Sequence, residues 1–222
     1  MSNATLPSPP PLSHRAIELI IEISTITAVA LIFVVARISS RLISVGKLGI
    51  GDLLVIFSII LGILFVALAG VGIHYGGAQH AADLHPQDLS RSIRFTLISF
   101  APGAMSFTFP KYAVVLLLVK ILNPGKNHRR FMWVVSVVYG LLVVSAVVIN
   151  FAQCQPPAKQ WGGATGKCWS RQIIVVYGTV LAALSALFDF YLAIYSTIIL
   201  WRLQMSWKKK LGLSFALGFG YW

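Results

Sequence analysis

The sequence predicts an all-α fold, a polytopic transmembrane helix bundle with five complete spans and the start of a sixth. Three observations carry this expectation. Apolar runs of bilayer-crossing length recur at Ile17–Ala36, Leu53–Tyr75, Ile93–Val119, Phe131–Ala152 and Ile173–Leu200, and another opens at Leu211. Of the 222 residues 57% are hydrophobic and only 11% charged, whereas a soluble domain needs about 25% charged residues. The basic residues, finally, gather in alternate connections. At ~1.5 Å of rise per residue each run covers the ~30 Å hydrocarbon layer. Lipid offers no partner to an open backbone N–H or C=O, so the spans must be helices; the alternation of barrel strands is absent.

The elements follow in order. Residues 1–16 are Pro- and Ser-rich, with Pro7, Pro9, Pro10 and Pro11, and read as a disordered outer tail. No cleavable signal peptide is expected: the first run is long for a signal core and lacks a small-residue cleavage site. Asn3-Ala4-Thr5 is a glycosylation sequon on that tail. Glu18 and Glu22 share a helix face at the outer end of the first span, where they line either the outer vestibule or the headgroup zone. A loop, Arg37–Asp52, leads to the second span. Beyond it His74, His80 and His85 are spaced too irregularly to suggest a metal site, and none is expected. The connection Gly76–Ser92 reads as a loop in which Pro86 limits any helix to a turn or two. The third span carries Pro102, Gly103 and Pro110, which predicts a bend near its middle. After the loop Lys120–Arg130 and the fourth span comes Gln153–Gln172, which holds the two cysteines, Cys154 and Cys168. An outer compartment permits a disulfide between them. The loop Trp201–Lys210 then precedes the sixth run. Residues 17–222 thus form one transmembrane domain, whose inner loops are too short to house a catalytic domain.

A net charge of +12 would suggest nucleic acid in a soluble protein. Its distribution argues otherwise. Eleven Lys/Arg lie on one side: Arg37, Arg41, Lys47, Lys120, Lys126, Arg129, Arg130, Arg202 and Lys208–Lys210. Six lie on the other: Arg15, Arg91, Arg94, Lys159, Lys167 and Arg171. The positive-inside rule places the N-terminus outside and the basic loops in the cytosol. The partner implied is the lipid bilayer, with no nucleic acid.

Lys111 and Asp189 each stand alone in a long apolar run, where a charge costs at least ~2.5–3.5 kcal/mol. Lys111 lies 18 positions past Ile93 and Asp189 lies 16 past Ile173, both runs entering from outside. The two therefore reach similar depth, within about 3 Å, and are expected to face each other directly or through a polar group. Such a pair can be an ion relay, a switch that breaks on activation, or a static tie holding two helices in register. Lys111 can also snorkel alone to the headgroups. There is no HExxH, GxSxG, Walker loop or dinucleotide fingerprint, so no enzyme is expected.

Ordered motifs accompany these features: Arg37-Ile-Ser-Ser-Arg41, Lys47-Leu-Gly-Ile-Gly-Asp52, Tyr75-Gly-Gly-Ala-Gln-His80 and Asp83-Leu84. Lys111 follows, then Phe151-Ala-Gln-Cys154-Gln-Pro156, Trp161, Gly166-Lys-Cys168, Asp189, Leu200-Trp201 and Lys210-Leu-Gly-Leu. In this set the chain resembles the fungal rhodopsin-domain membrane proteins, a seven-helix family with receptor-like members. It departs from the family at Gly51, where a second acid is usual, at Ser185, where Asn is usual, and at Ala113, usually a small polar residue. The run from Leu211 ends after twelve residues, too few to span a bilayer, so a C-terminal truncation without the seventh helix is expected. The family name invites retinal, which light-driven rhodopsins hold on a Lys of the last helix; Lys111 lies in the wrong span, and no cofactor is expected. The resemblance implies a receptor-like, sensory plasma-membrane protein. A small-molecule or surface ligand would enter between the outer loops, and a cytosolic signalling partner would meet the inner ones. The alternative is a transporter or ion-translocating protein gated by Lys111 and Asp189.

Overall fold

The computed structural model describes residues 14–45, 48–77, 84–122, 125–162 and 165–202. Asn3, His80, Asp83, Lys47 and the run from Leu211 lie outside the described residues. Five long helices make the fold: α1 (His14–Val45), α2 (Ile50–Gly72), α3 (Pro86–Leu122), α4 (Lys126–Ala152) and α5 (Arg171–Arg202). Each holds a stretch long and apolar enough to cross a membrane. One end of the bundle carries the cysteines, the other the basic connections.

The helices run past the expected spans at most ends, α1 from His14, α3 to Leu122, α4 from Lys126 and α5 over Arg171–Arg202, and two of the departures have a local reason. The stretch read as a loop from Arg37 is helical as far as Val45. Arg37 and Arg41, one turn apart, extend α1 past its apolar run because both reach the same carboxylate on α2. Pro86 does not confine a short loop helix; it begins α3, which runs unbroken for 37 residues. At the first helical position proline loses nothing, since an N–H there has no partner within the helix. The carbonyl of His85 accepts from Asp88 N at 3.0 Å and Leu89 N at 3.1 Å.

α2 ends in a π-helical turn, Ile73–Gly77. Gly76 has φ +94°, and a Cβ there would lie 2.3 Å from Leu84 Cδ2, so conformation and space both require glycine. α2 packs most extensively on α3. Inside α3, Pro110 has no N–H to give the carbonyl of Ser106 four residues earlier. The Ser58 hydroxyl of α2 donates to that carbonyl at 2.7 Å, satisfying a group that lipid could not. Ser92 Oγ donates likewise to the Gly72 carbonyl at 2.9 Å.

α4 docks on α3 through the Tyr112 hydroxyl, which donates to the Ser136 carbonyl at 2.9 Å. A Cβ at Gly140 would lie 1.9 Å from Tyr112 Oη, so glycine admits this approach. Val115, Leu118, Met132, Tyr139, Val143, Phe188 and Leu192 form the buried core between α3, α4 and α5. Elsewhere the surface is apolar. Ile26, Ile32 and Ile43 of α1 are 69%, 66% and 87% exposed, which suits contact with lipid tails rather than water. Thr25 and Thr27 turn their hydroxyls back to the carbonyls of Ile21 and Ile23, hiding them from that environment.

Candidate functional site

The polar side chains of α3, α4 and α5 meet midway along the bundle. Lys111 Nζ lies 2.7 Å from Asp189 Oδ2. It also donates to Ser185 Oγ at 2.6 Å, lies 3.4 Å from the Ser185 carbonyl, and sits 4.8 Å from the centroid of the Tyr139 ring. Tyr139 Oη donates to Ser185 Oγ at 3.1 Å. The elements explain the geometry. Ser185 and Asp189 are one turn apart on α5 and share a face; Tyr139 reaches across from α4. Burial differs sharply between the ionic partners: the Lys111 side chain is 10% exposed and that of Asp189 56%. The lysine is enclosed and the carboxylate is exposed.

A second ionic cluster ties α1 to α2 at the basic end. Asp52 is 2% exposed, and its Oδ1 lies 3.6 Å from Arg37 Nε and 3.8 Å from Arg41 Nε. Its other oxygen accepts the Gly49 backbone N–H at 3.0 Å, capping α2. One carboxylate thus starts a helix and clamps its neighbour.

At the other end Cys154 and Cys168 are disulfide-bonded and pair as opposite residues of two short antiparallel strands, β1 (Cys154–Gln155) and β2 (Lys167–Cys168). Pro156 follows β1 by a cis peptide bond and leads into a 3-10 helix, Pro157–Trp161. Lys159 Nζ donates to the Gly166 carbonyl across this hairpin. Trp161 packs beneath Arg94 of α3, the guanidinium 5.6 Å from its ring centroid. Glu18 and Glu22 are exposed on α1, as are His74 and His85 at the turn before α3. Among the described residues no three of His, Cys, Asp and Glu gather closely enough to hold a metal. Sequence reasoning named Lys111 and Asp189 but missed Tyr139, and treated Ser185 only as a departure from a pattern. The four-residue spacing from Asp189 was the available signal for Ser185; Tyr139 offered none, because its role depends on how α4 is rotated.

Comparison with known proteins bears on these positions. Residues 36–222 match the model of the fungal rhodopsin domain, a stretch that contains all three clusters. A SAT4 family membrane protein of Emericella nidulans is 26% identical over 149 residues, which are 65% of this chain and 38% of that protein. The match therefore spans well under half of the relative's length. No solved structure matches the chain.

Proposed function

Because the chain belongs to the fungal rhodopsin domain family, we propose that it is a receptor-like, sensory protein of the plasma membrane in which Lys111 and Asp189 latch α3 to α5. The observation that carries this reading is how Lys111 is held. An ammonium has three N–H donors, and Asp189 Oδ2, Ser185 Oγ and the Tyr139 ring face surround it. A proton carrier must exchange with a water path; an ammonium enclosed in this way is suited to fixing one helix register and releasing it. A small rotation of α5 can withdraw the carboxylate without disturbing the core. At 2.7 Å the gross attraction is about 6 kcal/mol for an effective dielectric near 20. The exposure of Asp189 and the desolvation of Lys111 reduce the net value well below that. A ligand needs about 5.5 kcal/mol of differential affinity to reverse a 1:99 equilibrium, so such a latch lies within its reach.

The orientation belongs to the same proposal. Eleven Lys/Arg against six support a cytosolic basic end, and a disulfide supports the opposite end lying outside. A small molecule or surface ligand would then bind at the disulfide end, and a signalling partner would meet the basic connections. The role is non-catalytic. The test is reconstitution into vesicles filled with a pH-sensitive dye, under an imposed pH gradient. The receptor reading expects proton leak equal to that of empty vesicles. Flux that Asp189→Asn abolishes would overturn it and make the protein a translocator.

A further inference from the structure

At the disulfide end a groove of about 610 Å³ opens between the first turns of α3 and the 3-10 helix. Pro86, Leu89, Ile93 and Trp161 give it apolar walls, and Ser90 and Arg91 add polar groups. The walls are fixed to one another. The Ser90 hydroxyl donates to the Trp161 carbonyl at 2.5 Å, Arg94 packs over the Trp161 ring, and Gln160 Nε2 donates to the Asn150 carbonyl of α4 at 2.9 Å. The disulfide closes the same hairpin. A groove held in this way binds without first ordering itself.

We propose that this groove binds a small organic anion: a carboxylate or sulfonate on a flat aromatic or short alkyl body. Its volume lies within the roughly 300–1,000 Å³ of small-molecule sites, and its mixed lining of apolar wall and few polar groups is what such sites use. Trp161, Leu89 and Ile93 receive the body. Arg91 receives the head. The Arg91 side chain is 51% exposed, and its Nη1 stands 4.0 Å from Asp88 Oδ1; its guanidinium rests 5.6 Å from the centroid of the Tyr75 ring. With Arg91 half exposed and 4.0 Å from a 16% exposed Asp88 the pair is loose, so a ligand carboxylate can make the close two-point contact that Asp88 does not. Among the described residues charge favours an anion over a cation, because Arg91 and Arg94 of α3 and Lys159 of the 3-10 helix outnumber Asp88. The site would serve a receptor and a transporter alike, so its test reads binding and not signalling.

The experiment is photolabelling of the purified protein in lipid nanodiscs with 4-benzoylbenzoate, mapped by peptide mass spectrometry. Saturable labelling is expected within residues 86–93 or 161–162, suppressed by excess benzoate. Arg91→Gln should weaken it about tenfold, the equivalent of ~1.4 kcal/mol, and Arg91→Lys, which keeps the charge but not the two-point contact, should fall between the unaltered protein and Arg91→Gln. Because Arg91 is exposed, both variants should remain monodisperse. Equal labelling of the same peptides by uncharged benzophenone, labelling indifferent to Arg91→Gln, or labelling scattered over the spans would each overturn the proposal.

Discussion

Replacing Ser58 with alanine removes one hydroxyl and exposes a weakness that Pro110 builds into α3. The Ser106 carbonyl has no N–H four residues ahead, and Ser58 Oγ, itself buried, satisfies it at 2.7 Å. Hydrogen bonds between membrane helices average about 0.6 kcal/mol and reach ~1.7, because a freed group usually finds another partner. Here the helix itself supplies none, so the cost should approach the upper figure, about 1.5 kcal/mol. Restoring the missing N–H should remove most of that cost. In a Pro110→Ala background, Ser58→Ala should cost only about 0.5 kcal/mol, leaving a coupling of about 1 kcal/mol. The assay is unfolding of the four proteins of the cycle by sodium dodecyl sulfate in mixed micelles. Additivity within ~0.3–0.5 kcal/mol would refute the reasoning, since the two positions would then act independently.

Other perturbations test other joints. Gly140→Ala places a methyl group against Tyr112 Oη and should cost about 1–3 kcal/mol in the same unfolding assay; Tyr112→Phe should recover part of the loss. Asp52→Asn keeps an oxygen to cap α2 but strips the charge that Arg37 and Arg41 share. It should destabilise by roughly 3 kcal/mol and lower the yield of monodisperse protein, and unchanged stability would mean that the clamp is incidental. Replacing Cys154 and Cys168 together by serine opens a crosslink spanning 14 residues, worth about 3 kcal/mol. The hairpin between them should become the first site of limited proteolysis.

Much of this architecture was legible because helices and bilayers impose fixed lengths. Counting residues from the start of two spans placed Lys111 and Asp189 at one depth, and rise per residue is the same for any helix. Rotation is not encoded so simply, which is why Tyr139 on α4 and Ser58 on α2 escaped notice. Pro110 was read as a bend, although the carbonyl it orphans could have been inferred; only its donor required the packing of α2. The helix ends were misjudged where polarity was taken for a boundary. Arg37 and Arg41 are charged yet helical, because the Asp52 carboxylate waits on the neighbouring helix. Pro86 begins a helix that it was expected to limit. The groove beside Trp161 joins segments some seventy residues apart, and no local pattern announces it.

The pair between α3 and α5 is the account's centre, and a distance distribution tests it most directly. Both native cysteines are bonded to each other, so spin labels can be placed at Lys120→Cys and Ile198→Cys, exposed positions near the basic ends of α3 and α5. Electron–electron double resonance in nanodiscs should give one narrow distance for this labelled protein. Adding Asp189→Asn should shift or broaden it by roughly 2 Å, the scale on which helices move in switching proteins, and exchanging Lys111 and Asp189 should narrow it again. Superposable distributions with and without Asp189→Asn would contradict the latch.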